Sequence, residues 1–253
     1  MFRPRIIPVL LLKNQGLVKS IAFKDHRYIG DPINAVKIFN DLKADELVFL
    51  DILASREKRT IALDFVRNVG EEASMPFAVG GGITTIEHIR TIINAGAEKV
   101  VINTHAAKDP EFIRAAVETF GSSTIVVCMD VKKNILGKEQ TWIVSGSKST
   151  GIAAVDYAKL MEEKGAGELI VQAMDHDGRM NGYDISLIRK ISAAVSIPVV
   201  ALGGAGSIDD MRRGFKEGYA SGLAAGSLFV YQGPRKAILI NYPAKGQLVK
   251  LSS

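Results

Sequence analysis

Asp130 follows four apolar residues in the run VVCMDVKK, a place where a carboxylate leaving a buried strand can serve as general acid or base. Taken alone it reads equally well as a cap or as the ion-pair partner of Lys132 or Lys133. Glycine-rich stretches offer a different chemistry. VGGGIT contains Gly82, LGGAGS contains Gly203 and Gly204, and AAGS contains Gly226 and Ser227, each after a short apolar run. Exposed backbone N–H groups there can hold phosphate, although a tight turn explains any one of these clusters. INTH adds Asn103 and Thr104 at a matching place. Lys19 can meet a phosphate as a flexible point charge or simply stand in solvent. Asp51, and Asp177 with Gly178 in DHDG, can orient substrate hydroxyls or cap the next helix.

Other chemistries find little support. His105 and His176 could titrate near neutral pH, but the four histidines have no ligand spacing, so no metal is expected. The single cysteine, Cys128, sits between Val127 and Met129, which suits a buried packing residue and excludes a disulfide within the chain. A serine nucleophile elbow and a Cys–His pair are both missing, so neither a hydrolase nor a glutaminase is expected from this chain by itself.

The elements that must position these residues are short apolar runs, each followed by a polar or glycine-rich turn and an amphipathic segment. Strands are expected near Ile6–Leu12, Glu46–Asp51, Phe77–Val79, Val100–Ile102, Ile125–Asp130, Leu169–Gln172, Val199–Ala201 and Leu223–Ala225. Their near-continuous hydrophobicity indicates parallel strands buried on both faces, covered by helices such as Ile86–Asn94 and Met211–Glu217. An internal repeat lays MPFAVGGGITTIEHI, from Met75, on IPVVALGGAGSIDDM, from Ile197, and at the same offset lays Glu46 on Glu168. Two half-barrels of four βα units, forming one α/β (βα)8 TIM barrel over residues 1–253, is the economical reading. In such a barrel the functional face lies at the carboxyl ends of the strands. The repeat also makes Leu11 the positional twin of Asp130. The tail after Phe229, YQGPRKAILINYP, is the least regular part.

At the opposite face Arg5, Glu46, Lys99 and Glu168 each stand at the start of a strand, so four charges form a ring about the barrel axis. They read either as structural ion pairs or as a gated opening for a small polar molecule. The 253 residues are 47% hydrophobic, without a run of membrane-spanning length, and Met1 to Arg5 lacks a signal-peptide core. A cytoplasmic protein without a membrane partner is expected. The net charge of +5 is mild, which fits an anionic small-molecule substrate better than nucleic acid, the basic residues being scattered.

The segments RIIP, DELVFLDI, VGGGI, GAEKVVINT, DHDG, GYD, IPVVALGGAG and LAAGSLF, in this order from Arg5 to about Phe229, resemble the cyclase subunit of imidazole glycerol phosphate synthase, the HisF family. The resemblance implies a (βα)8 barrel with a separate glutaminase (HisH-like) on its N-terminal face. Ammonia from that partner would pass the gate of Arg5, Glu46, Lys99 and Glu168 and travel along the barrel. It further implies a bis-phosphorylated substrate held by Gly82, Asn103, Thr104, Asp177 and Gly178 on one side and by Gly203, Gly204, Gly226 and Ser227 on the other, with Lys19 as a substrate-binding lysine. No cofactor is expected.

The opening segment departs from this pattern. Where the family has a catalytic aspartate this chain has Leu11, in IPVLLLKNQGLVK, and Leu cannot transfer a proton. Arg179 follows Asp177-Gly178 where the family tends to have Thr, which puts bulk and charge near one phosphate site. With SLFVYQGPRKAILINYP, these features resemble a divergent HisF-like branch tied to amidation of surface-polysaccharide sugars, in which the barrel hands ammonia to a separate sugar amidotransferase. The alternatives are a cyclase of histidine biosynthesis working through Asp130, with Asp51 as a second acid, and a non-catalytic scaffold that activates the glutaminase.

Overall fold

The computed structural model describes residues 3–233, 235–249 and 251. Eight strands, β1 (Arg5–Lys13), β2 (Leu47–Asp51), β3 (Phe77–Gly80), β4 (Lys99–Ile102), β5 (Ile125–Lys133), β6 (Glu168–Ala173), β7 (Val199–Leu202) and β8 (Gly222–Ala225), lie parallel in chain order. β8 pairs back on β1, Arg5 against Gly222 through Pro8 against Ala225, and the barrel closes. Closure leaves no parallel edge exposed. The strands are the expected ones, with shifted ends: Glu46 precedes β2, and β5 runs on to Lys133, so Asp130 lies inside a strand instead of ending it.

Helices α1 (Pro32–Asp41), α2 (Leu63–Glu72), α3 (Ile86–Asn94), α4 (Glu111–Phe120), α5 (Ala154–Glu163), α6 (Ile185–Ala194) and α7 (Ile208–Lys216) cover the outside. Side-chain caps start several of them. The Asp31 carboxylate accepts from Asn34 N–H at 2.8 Å with Pro32 in the first turn, and Asp184 accepts from Leu187 N–H at 3.0 Å. Thr85 opens α3 and its repeat twin Ser207 opens α7 by the same bond, each cap satisfying an otherwise free N–H. The outer core, between strands and helices, is built on Phe39, Phe49, Tyr157 and Phe229, all with at most 1% of their surface exposed.

Alternate strand residues point to the barrel axis. Along β1, Ile7 and Val9 join Val48, Ala78, Val101, Val126, Cys128, Ile170, Val200, Leu202 and Ala224 in a second, inner apolar cluster, with Leu11 and Leu50 packed against its edge. The polar residues before and after these layers therefore sit at the two ends of the barrel.

Two elements escape the sequence reading. Antiparallel hairpins, Gly16–Ile21 with Lys24–Gly30 and Glu139–Ile143 with Lys148–Ala153, rise from the ends of β1 and β5, the first strands of the two halves. The turn from β1 into the first is made by Asn14 and Gln15, at φ 51° and 66°, and the hairpin's own turn by Ala22 and Phe23, at φ 48° and 65°, the left-handed geometry that matches the twist of two-residue hairpin turns. The strand expected to end at Leu12 thus folds back through Gly16.

After β8 the chain makes a small hairpin, Tyr231–Gln232 with Ala237–Ile238, and a short helix, α8 (Lys245–Val249), instead of a full outer helix. Pro234 of the expected tail motif, and Met1 of the N-terminal reading, lie outside the described residues. Tyr242 ties this tail to the start of the barrel: its hydroxyl donates to Ile6 O at 3.0 Å and accepts from Asp45 N–H at 3.1 Å. Its ring packs on Phe229 with centroids 5.7 Å apart. Removing the hydroxyl by Tyr242→Phe leaves both backbone groups short of a partner, an expected loss of about 1–2 kcal/mol. For a chain of this size that is a Tm fall of roughly 2–8 °C, to be read by calorimetry, and an unchanged Tm would refute the tail's part in closure.

Candidate functional site

At the foot of the barrel the four charges expected there meet. Arg5 binds both Glu46 and Glu168, and Lys99 Nζ reaches Glu46 at 2.9 Å and Glu168 at 3.3 Å. Cation and anion alternate around a closed ring. Both carboxylates are buried, Glu46 at 3% and Glu168 at 7% exposure, and each has two cationic partners. Burial works against the Arg5 cation, but the Glu168 and Glu46 charges outweigh it and raise its pKa.

At the other end the strands open into a cavity of about 670 Å³. Its floor is apolar, with Val9, Leu11, Leu50 and Leu202, and its walls carry Asp51, Gly82, Asn103, Thr104, Asp130, Asp177, Gly226 and Ser227. Leu11 pairs with Leu50 on one side and Val18 on the other. Gly178, Gly203 and Gly204 are not among the lining residues. A Cβ on Gly178 would lie 2.0 Å from Ser20 O, one on Gly203 2.7 Å from Ala173 O, and one on Gly204 2.1 Å from Gly182 O. At these three glycines close approach of the chain to itself requires the missing side chain. Arg179 is exposed and does not line the cavity, so the bulk expected at a phosphate site is turned away from it.

Asp130 is 7% exposed, and the reading of it as an ion-pair partner fails: Lys133 pairs with Asp184 at 3.7 Å, and Lys132 lies over the Trp142 ring. Burial pushes its carboxyl up to about 7, the nearby Asp177 charge adding to this and the Asn103 amide opposing it. Cys128 Sγ approaches Asp130 at 4.0 Å, and burial holds that thiol well above its ordinary range. Asn103 Nδ2 donates to Cys128 O at 2.9 Å, and Thr104 Oγ1 accepts from Val144 N–H at 3.0 Å, joining the second hairpin to the rim.

Lys19 does not stand in solvent. Its side chain is buried against the end of β8, Nζ donating to Val9 O at 2.6 Å, and a Cβ on Gly226 would come within 2.2 Å of Nζ. Gly226 is therefore the residue that makes room for the ammonium. Burial lowers the Lys19 pKa to about 8 against the pull of Asp177. Asp177, raised by the same desolvation, accepts from Ser20 Oγ and Gln172 Nε2, each at 3.0 Å. Asp51 accepts from Leu53 N–H at 3.0 Å and Ala54 N–H at 3.2 Å and pairs with Arg59 at 2.5 Å, so its lone pairs are largely committed.

His105 lines the cavity with its ring edge-on to Phe112 and its pKa lowered by burial, whereas His176 Nδ1 contacts Gly182 O at 2.8 Å. Among the described residues no three His, Cys, Asp or Glu side chains are grouped to hold a metal ion. Sequence reasoning missed a cationic wall: Lys13, Arg56, Lys58, Arg59 and Lys108 all line the cavity, with His26 and His88. The basic residues are not uniformly scattered, because REKR at 56–59 is a cluster in the loop after β2. Its place after a strand end was the available signal. The mouth thus combines an apolar floor with an excess of positive charge, suited to a multiply anionic small molecule.

The chain matches the family described as histidine biosynthesis protein over residues 5–234. It is 46% identical over 96% of both chains to a Leptospira borgpetersenii protein provisionally named imidazole glycerol phosphate synthase subunit HisF. It is 45% identical to the imidazole glycerol phosphate synthase subunit HisF of Alkaliphilus metalliredigens, covering 91% of this chain and 92% of that one. A Vibrio vulnificus protein provisionally named subunit hisF3 is 41% identical over 99% of this chain and 96% of its own.

The state of Asp130 can be read through stability. A folded pKa raised to about 7 from the ordinary 3.8 gives stability that is fully present below pH 3.8 and lost as pH rises through about 7. Asp130→Asn does not titrate, so its stability advantage over the parent, read from denaturant midpoints, is expected to open between pH 4 and 7 and level off above, by up to ~4 kcal/mol. A difference independent of pH would show that the carboxyl is not destabilised by its burial.

Proposed function

We propose, from the premise that this chain belongs to the histidine biosynthesis family and to its HisF synthase subunits, that it is the ammonia-accepting barrel of a glutamine amidotransferase complex. A separate glutaminase docks over the ring of Arg5, Glu46, Lys99 and Glu168. Ammonia crosses the inner apolar layers and reaches the mouth, where the nitrogen goes to amidation of a surface-polysaccharide sugar through a partner amidotransferase.

The observation that carries this reading is a contrast between the two ends. The charged ring at the foot is complete, while the place that faces Asp130 across the mouth is the apolar Leu11, packed against Leu50. Cyclisation with proton transfer calls for positioned acid and base groups, and losing one typically removes ~10² to 10⁴ in rate. Conduction of a neutral molecule makes no such demand. The numbered name hisF3 of one relative suits a paralogue with a task of its own. The cationic wall supports retention of an anionic ligand, which Lys19, Gly82, Asn103, Thr104, Gly226 and Ser227 would hold.

A second reading, cyclase activity, draws on Asp130, whose carboxyl near pH 7 is poised for general acid–base work. Purified protein supplied with ammonium chloride and the bis-phosphorylated ribulosyl aminoimidazole carboxamide separates the two. Turnover is expected to be at least ~10²-fold below that of a cyclase retaining both acids. Robust turnover that Asp130→Asn abolishes would overturn the conduit reading. With a glutaminase partner and amide-¹⁵N glutamine, label is expected in the sugar acceptor; stimulated glutaminase without transfer would instead mark the barrel as a scaffold.

A further inference from the structure

Four buried side-chain atoms lack a hydrogen-bond partner among the described residues, and one of them, Gln172 Oε1, belongs to a strand of the barrel wall. Gln172 alternates along β6 with Ile170 and Glu168, so it shares the inward face that begins at the charged ring and continues in the inner apolar cluster. It follows Ile170 as the next inward residue, and it is 5% exposed.

The chemistry of its surroundings fixes the amide. Gln172 Nε2 donates to Asp177 Oδ1 at 3.0 Å, and the reversed amide would set oxygen against a carboxylate oxygen. The carbonyl is therefore the free end. In register across the sheet, Gln172 pairs with Asp130, whose carboxyl is equally inward and buried. A buried acceptor without a donor costs about 1–3 kcal/mol, so its persistence calls for a donor that comes from outside the chain.

We infer that Gln172 Oε1, beside Asp130, is the acceptor station at which a small N–H donor leaving the apolar interior of the barrel is first caught by a hydrogen bond. This rests on the ammonia-conducting reading above and names its receiving residue. Ile7, Val48, Val126, Ile170 and Val200 between foot and mouth favour passage of a neutral molecule over an ion. Such a molecule, with three N–H donors and one lone pair, makes no hydrogen bond to those side chains and is held again only where an acceptor appears.

The test needs no partner protein. In protein carrying ¹³C-labelled glutamine, the Gln172 Cδ resonance, assigned by its absence in Gln172→Leu or Gln172→Met, is followed as ammonium chloride is added at alkaline pH. A saturable shift is expected, absent with sodium chloride or tetramethylammonium chloride, which offer no N–H donor. An unmoved resonance, as a permanently bound water would leave it, or an equal shift with sodium chloride overturns the inference. In the glutaminase complex, Gln172→Leu is expected to raise ammonia released to bulk roughly 2- to 10-fold, the factor that one hydrogen bond commands. Labelled nitrogen that transfers as well in Gln172→Leu as in the parent defeats this station and leaves the conduit standing. Failure of all transfer in the parent defeats the conduit, while the isolated chain still reports on Gln172.

Discussion

Two carboxylates, Glu46 and Glu168, are removed from solvent at the foot of the barrel, and the placement of Arg5 and Lys99 between them makes that burial tolerable. A buried ion pair repays desolvation only where geometry and partner count are good, and here each carboxylate has two cations. The ring also imposes order on the strands. Because side chains alternate, fixing Arg5, Glu46, Lys99 and Glu168 inward fixes Ile7, Val48, Val101 and Ile170 inward above them, and then Val9, Leu50 and Gln172. The register of β1, β2, β4 and β6 is thus set at one end and read out at the other. A slip by one residue would put the charges into the outer apolar layer.

Closure depends on the last elements as well as on the strands. β8 is only four residues long, and the tail beyond it lacks a long outer helix. Tyr242 compensates by bridging Ile6 and Asp45, while the Asp45 carboxylate accepts from Ile6 N–H at 2.9 Å and pairs with Arg3 at 2.7 Å. Arg5 and Glu46 are the chain neighbours of Ile6 and Asp45. The tail therefore braces the same two strand starts that carry half of the charged ring.

The parallel strands were legible because burial on both faces demands continuous apolar runs, and α3 was found with its observed bounds because its apolar period is clean. The half-barrel repeat was legible through its glycines and now extends to the Thr85 and Ser207 caps. The hairpins were not legible. KDHRYIG is mostly exposed and polar, and the left-handed turns on either side of its partner strand use Asn14-Gln15 and Ala22-Phe23, with no glycine at either turn to mark it. The burial of Lys19 was not legible for the same reason, since only the returning hairpin carries it into the space beside Gly226. Glycine was the ambiguous residue: Gly226 lines the cavity and makes room for Lys19, Gly82 lines it and also makes room for Arg59 O, and Gly203 and Gly204 only make room for the chain's own backbone, uses that a sequence does not tell apart.

Leu11 changes what the mouth can do with its remaining charges. With an acid there, Asp130 would face a like charge and the pair would share protons, each shifting the other. With Leu11 against Leu50, Asp130 faces an apolar wall, and desolvation becomes the largest influence on it. The same apolar floor lies beneath Lys19, whose ammonium is likewise disfavoured by burial. With a carboxyl near 7 and an ammonium near 8, Asp130 titrates around neutral pH while Lys19 keeps most of its charge, in a cavity whose rim is cationic. A cationic rim above an apolar floor is an arrangement that would hold an anion while offering a neutral amine a path with few charged partners.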